Sequence, residues 1–153
     1  MNMPTTWTLV ADRTRARLFS SSRATEPLFE LRDFLNPDGR ELAQDLVTDR
    51  SSRMPGMVGR ARGALEARTS PGEHAAEVFA REICATLDRG LVDRACDRLV
   101  LIAAPEFLGL LHGCASKRVR EAIAFELGKN LTSLAPEDIR PYLPVQIWHE
   151  LAG

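Results

Sequence analysis

Leu99-Val100-Leu101-Ile102-Ala103-Ala104-Pro105 is the stretch that decides the fold. Its first six residues are all apolar, so a strand built from them has no polar face to turn to water and must be covered on both sides, as strands in the centre of an α/β sheet are. The run is strand-sized, far short of the roughly 20 apolar residues that cross a bilayer. Pro105 suits the first position of a helix, and a helix is predicted from there to about Gly113, with Leu108, Leu110 and Leu111 available for packing.

Upstream, Ser70-Pro71-Gly72-Glu73 places a capping Ser, a Pro at the first helical position and a Glu three residues after the cap, which is the signature of a helix start. Ala76, Phe79, Ile83 and Leu87 then fall on one stripe, and Gly90 offers a stop. Nearer the N-terminus, Trp7 to Ala11 and Arg15 to Phe19 flank the turn-forming Asp12-Arg13-Thr14. They read as a β-hairpin, with a third strand over Leu28 to Phe34, between Pro27 and Asn36-Pro37-Asp38-Gly39. Downstream, Val119 to Leu127 begins with helical spacing and ends in alternation, predicting a short helix running into a strand, and Pro136-Glu137-Asp138 opens a last short helix. The expected architecture is one α/β domain over 1–153, a mixed sheet with flanking helices.

The chain has 153 residues, 44% of them hydrophobic and 27% charged, with a formal net charge of −1. That length buries an adequate core without disulfides or a structural metal, and the near-neutral charge excludes a protein that coats nucleic acid by bulk charge alone. Cys84, Cys96 and Cys114 lack C-x-x-C spacing and suit reduced thiols. No basic n-region followed by an apolar h-region opens the chain. A cytoplasmic protein without membrane contact, metal or cofactor is therefore expected.

Neutrality is an average. Residues 50–70 carry +4, whereas 1–49 carry −2 and 71–97 carry −3. The positive charge lies on Arg50, Arg53, Arg60, Arg62 and Arg68, within a stretch from Val47 to Thr69 that Pro55, Gly56, Gly59 and Gly63 deprive of any period. This reads as a long exposed loop, a length that is usually functional or disordered. Guanidinium forks on such a backbone suit phosphate oxygens. A solvated loop, or arginines paired with the acidic helix that follows, would show the same composition.

Five landmarks in order give the chain a resemblance to the bacterial host-attachment family, whose members are described as required for attachment to host cells: Leu9 to Phe19, Leu46-Val47-Thr48-Asp49-Arg50, Glu73 to Glu82, Leu99 to Gly109, and Lys129-Asn130-Leu131-Thr132-Ser133-Leu134. That family is similar in turn to the middle domain of eukaryotic and archaeal class-1 release factors, an α/β domain with a ribonuclease H-like sheet. The resemblance implies a basic loop where relatives meet RNA, and hence tRNA or the ribosome as partner. It does not carry over peptidyl-tRNA hydrolysis, because Arg53 to Gly63 holds no Gly-Gly-Gln and Gln44 has no flanking glycines.

Other chemistry has thinner support. Asp12 and Asp49 each precede an arginine and end a strand-like segment; together they could hold Mg²⁺ against phosphates, although Asp12 is equally a turn residue bonding its own backbone. His74, in the first turn of the long helix, could act as a general acid or pack locally. His112, Cys114 and His149 form no set recognisable by spacing. Trp148 could dock on the domain or at a homodimer contact. The expected function is a non-catalytic RNA- or ribosome-interacting module; the alternatives are an indirect role in attachment from the cytosol, or hydrolysis of a phosphodiester or aminoacyl ester through Asp12, Asp49 or His74.

Overall fold

The computed structural model describes residues 4–36 and 71–148. The loop expected over 47–69 and the capping Ser70 lie outside them. Among the described residues, five strands form one sheet in the order β3-β2-β1-β4-β5. β1 (Thr6–Ala11) and β2 (Arg15–Ser21) make the expected hairpin, and β3 (Phe29–Leu35) pairs antiparallel with β2. β4 (Arg98–Ala103) runs parallel to β1 from Thr6↔Arg98 to Ala11↔Ala103, and β5 (Ile123–Leu127) runs parallel to β4. Every residue of β4 is buried, as its unbroken apolar run requires, although β1 occupies the geometric middle.

Alternation assigns the side chains to two layers. Leu9, Ala11, Leu99, Leu101 and Ala103 face α1 (Pro71–Val92), α2 (Pro105–Cys114) and α3 (Lys117–Ala122), where Phe79, Ile83, Leu87, Phe107, Leu111 and Val119 complete the core. Phe79 and Phe107 meet with ring centroids 5.9 Å apart, which joins α1 to α2. Val10, Phe19, Val100 and Ile102 point to the opposite face, covered by Leu131, Ile139, Leu143, Ile147 and Trp148 from the C-terminal segment, including α4 (Pro136–Ile139). Trp148 is therefore packed into its own domain, beneath the Arg140 guanidinium at 4.8 Å. The short helix running into a strand is present as α3 and β5.

Arg17 fastens the C-terminal layer to the sheet. Its side chain, buried and stacked 5.0 Å from the Phe19 ring, donates through Nε and Nη2 to the Glu30 carboxylate at 3.0 and 3.1 Å. Nη1 donates to the carbonyls of Thr132 at 3.1 Å and Leu134 at 2.6 Å. A buried cation is tolerable only when its donors are met in this way.

Gly90 does not stop the long helix. It lies buried within α1, and a Cβ there would drive into the Trp7 ring. The helix ends two residues later through a Schellman arrangement: Ala95 N–H donates to the Gly90 carbonyl at 2.8 Å and Arg94 N–H to the Leu91 carbonyl at 3.2 Å, with Arg94 at φ 61°. The left-handed position that glycine usually fills is thus held by an arginine. Gly90→Ala, which helix propensity alone would favour by about 1 kcal/mol, is expected to lower stability by about 1–3 kcal/mol through overpacking against Trp7. Arg94→Gly is expected to raise it by about 1 kcal/mol. Urea midpoints of the two variants test both, and a Gly90→Ala midpoint at or above the parent's would show that Trp7 moves aside.

Candidate functional site

Strands β1, β4 and β5 end at the same edge of the sheet, the edge outside which open α/β sheets bind ligands. The turn after β1 is organised by Asp12. Oδ1 accepts from Thr14 N–H at 2.8 Å, Thr14 Oγ1 at 2.9 Å and Arg15 N–H at 2.9 Å. Oδ2 accepts from Asn130 Nδ2 at 2.9 Å and Thr132 Oγ1 at 3.3 Å. Partial burial opposes ionisation of this carboxyl, but the hydrogen bonds from Thr14, Asn130 and Arg15 outweigh it and hold the group below its ordinary range. With both oxygens engaged and its proton affinity lowered, Asp12 is a weak proton acceptor and a strong structural anchor.

Four further segments converge on this turn. Asn36, at the end of β3, donates from its backbone N–H to the Thr14 carbonyl at 2.9 Å and from Nδ2 to the carbonyls of Arg13 at 3.0 Å and Ala75 at 3.4 Å. The β1–β2 turn, the end of β3 and the first turns of α1 are thereby held together. The start of α2 contributes Ala104, Glu106 and Phe107 to a hollow of about 210 Å³ that Asp12, Arg13 and Asn130 complete. Arg15 reaches from β2 to the Thr132 carbonyl at 3.4 Å while its guanidinium pairs with Asp33 at 2.9 Å. Asp12 and Glu106 give this hollow two carboxylates against the single cation of Arg13, a balance that does not favour a phosphate inside it.

Of the residues singled out from sequence, Asp12 lies at the centre of this edge and His74 is exposed near the start of α1, outside the set that lines the hollow. Asp49, Arg50, Arg53, Arg60, Arg62, Arg68 and His149 lie outside the described residues. His112 belongs elsewhere, its Nε2 2.8 Å from the Glu126 carboxylate on β5. Among the described residues no cluster of His, Cys, Asp and Glu is placed to hold a metal ion, and no helix is long and apolar enough to cross a membrane. Sequence reasoning missed Asn36, Asn130 and Thr132 as members of this edge. The available signal was that Leu9 to Phe19 and Lys129 to Leu134 both stand out as landmarks; in the structure they bind each other.

Because the Asp12 carboxyl has a lowered folded value, its contribution to stability is present above about pH 4 and is lost as pH falls through that range. Asp12→Asn, whose Nδ2 would meet donors where an oxygen now accepts, should lose about 1–2 kcal/mol at neutral pH and flatten the acid side of the stability profile. Urea denaturation between pH 3 and 7 measures both, and parallel profiles for parent and variant would remove Asp12 from this role.

No curated protein matches the chain. A protein family described as required for attachment to host cells matches residues 7–143, a span that includes the Asp12 turn, Arg17, Asn36 and the Asn130–Thr132 segment. By that match the chain belongs to the family of proteins required for attachment to host cells.

Proposed function

We propose that this chain is a non-catalytic RNA-docking module whose phosphate contacts come from Arg50, Arg53, Arg60, Arg62 and Arg68, with tRNA or ribosomal RNA as partner. The observation that carries the reading is Asn36. By bonding Arg13, Thr14 and Ala75 together, it makes the chain leave the sheet after β3 and rejoin it at α1 on the edge where α/β sheets receive ligands. The 34 residues between, 37–70, include all five of those arginines, and the positive charge is concentrated in residues 50–70, which carry +4, whereas 37–49 carry −3. The choice of RNA as the polyanion rests on the resemblance to release-factor middle domains read in the sequence, and the absence of Gly-Gly-Gln together with the engaged carboxylate of Asp12 supports binding without hydrolysis. An effect on attachment would then be indirect, exerted through RNA.

Electrophoretic binding to total tRNA between 50 and 200 mM salt tests this. Affinity should fall steeply with salt, and replacing Arg60 and Arg62 together by Ala should weaken binding about tenfold and reduce the salt slope by roughly one per arginine. Binding that ignores salt, or a double variant that binds like the parent, would defeat the proposal. Parent-catalysed cleavage of RNA or of charged tRNA, lost on Asp12→Ala or His74→Ala, would replace it with the hydrolase reading.

A further inference from the structure

Two of the three thiols meet between the helices of one layer. Cys84, buried in α1, and Cys114, the half-buried last residue of α2, approach with Sγ atoms 3.1 Å apart, and both face the Leu111 carbonyl, at 3.5 and 3.6 Å respectively. A disulfide needs a sulfur separation of about 2.05 Å, a closure of about 1 Å. Cys114 sits at the helix end, followed by Ala115 in an extended conformation, so the adjustment falls on a terminus. Cys114 also lines a hollow of about 250 Å³ between α1 and α2, together with Glu77, Arg81, Gly109, Leu110 and Gly113. This gives a small oxidant a route to Cys114 that the buried Cys84 lacks. Cys96 is buried at a different hollow, beside Leu91 and Arg94, and burial with Asp97 beside it pushes its thiol up to about 12.

We propose that Cys114 is a site of oxidation by hydrogen peroxide and that Cys84 resolves it, giving a reversible Cys84–Cys114 disulfide that staples α1 to α2. In the first step the Cys114 thiolate attacks one peroxide oxygen; an S–O bond forms, the O–O bond breaks, hydroxide leaves, and the sulfur becomes a sulfenic acid. In the second, Cys84 attacks Cys114 Sγ; the S–S bond forms, the S–O bond breaks, and the Cys84 proton leaves with the hydroxyl as water. The thiol pair has then lost two electrons and the peroxide has become two waters. A dithiol reverses the bond by exchange. Burial first, and then the neighbouring Cys114 thiol, push the Cys84 thiol upward, which leaves Cys114 as the initiating thiol. The bond would close the chain between 84 and 114 and fix α2, whose other end forms the hollow beside Asp12.

The full-length protein treated with hydrogen peroxide should lose about 2 Da, and its free thiols should drop from three to one. Its melting midpoint should rise by roughly 5–10 °C, and dithiothreitol should restore all three properties. Peptide mapping should join Cys84 to Cys114. Cys114→Ser should abolish the mass loss and the shift, while Cys96→Ser keeps both; Cys84→Ala, with no hydroxyl to bury, should stop oxidation at the sulfenic acid, trapped by dimedone on Cys114. A disulfide involving Cys96, a peroxide-induced dimer on a non-reducing gel, or a Cys114→Ser variant that still loses 2 Da would overturn the proposal.

Discussion

A buried guanidinium holds the two halves of this molecule together. Arg17 comes from the N-terminal hairpin, yet its Nη1 reaches the carbonyls of Thr132 and Leu134, and its Nε and Nη2 engage Glu30. Those carbonyls belong to irregular backbone that no strand or helix satisfies. Left without a donor beside the sheet, each would carry the desolvation cost of an unmade hydrogen bond. The segment that brings Leu131, Ile139, Leu143 and Trp148 over the second face of the sheet thus rests chiefly on Arg17, with Arg15 adding a second donor to the Thr132 carbonyl, just as Arg17 depends on that segment for its own burial.

Around this clamp, Asp12 and Asn36 perform related tasks with neutral and anionic chemistry. Asp12 gathers donors from its own turn and from Asn130 and Thr132; Asn36 donates to carbonyls of the turn and of α1. This edge of the sheet is therefore fixed by its own hydrogen bonds, and rigid edges of this kind can position binding segments with little ordering cost of their own. The carboxylates that a hydrolytic reading would recruit are, in the case of Asp12, already occupied in holding that edge.

Sequence patterns disclosed what is local. The hairpin, the stripe Ala76, Phe79, Ile83, Leu87, the doubly covered β4 and the helix that runs into β5 all declare themselves by period or by an unbroken apolar run, and β3 is displaced from expectation by one residue. What was illegible is what joins distant positions. Nothing near Asp12 indicates that its second oxygen is met by residues 118 and 120 positions away, and nothing near Cys84 announces Cys114. Gly90 shows the same limit from the other side. A glycine near a helix end signals a stop only while its neighbours in space are unknown; here the cause is the Trp7 ring, and the left-handed residue that ends the helix is Arg94.

That contact has an optical corollary. The chain has two tryptophans, and the sheet separates them: Trp7 packs against α1 on one face, while Trp148 lies under Arg140 in the C-terminal layer on the other. Each layer thus contains its own indole, one beside the helix backbone at Gly90 and one beneath a cation. With either tryptophan replaced, the emission of the other follows one half of the sandwich alone, so the protein is built to reveal whether its two layers come apart together or in turn.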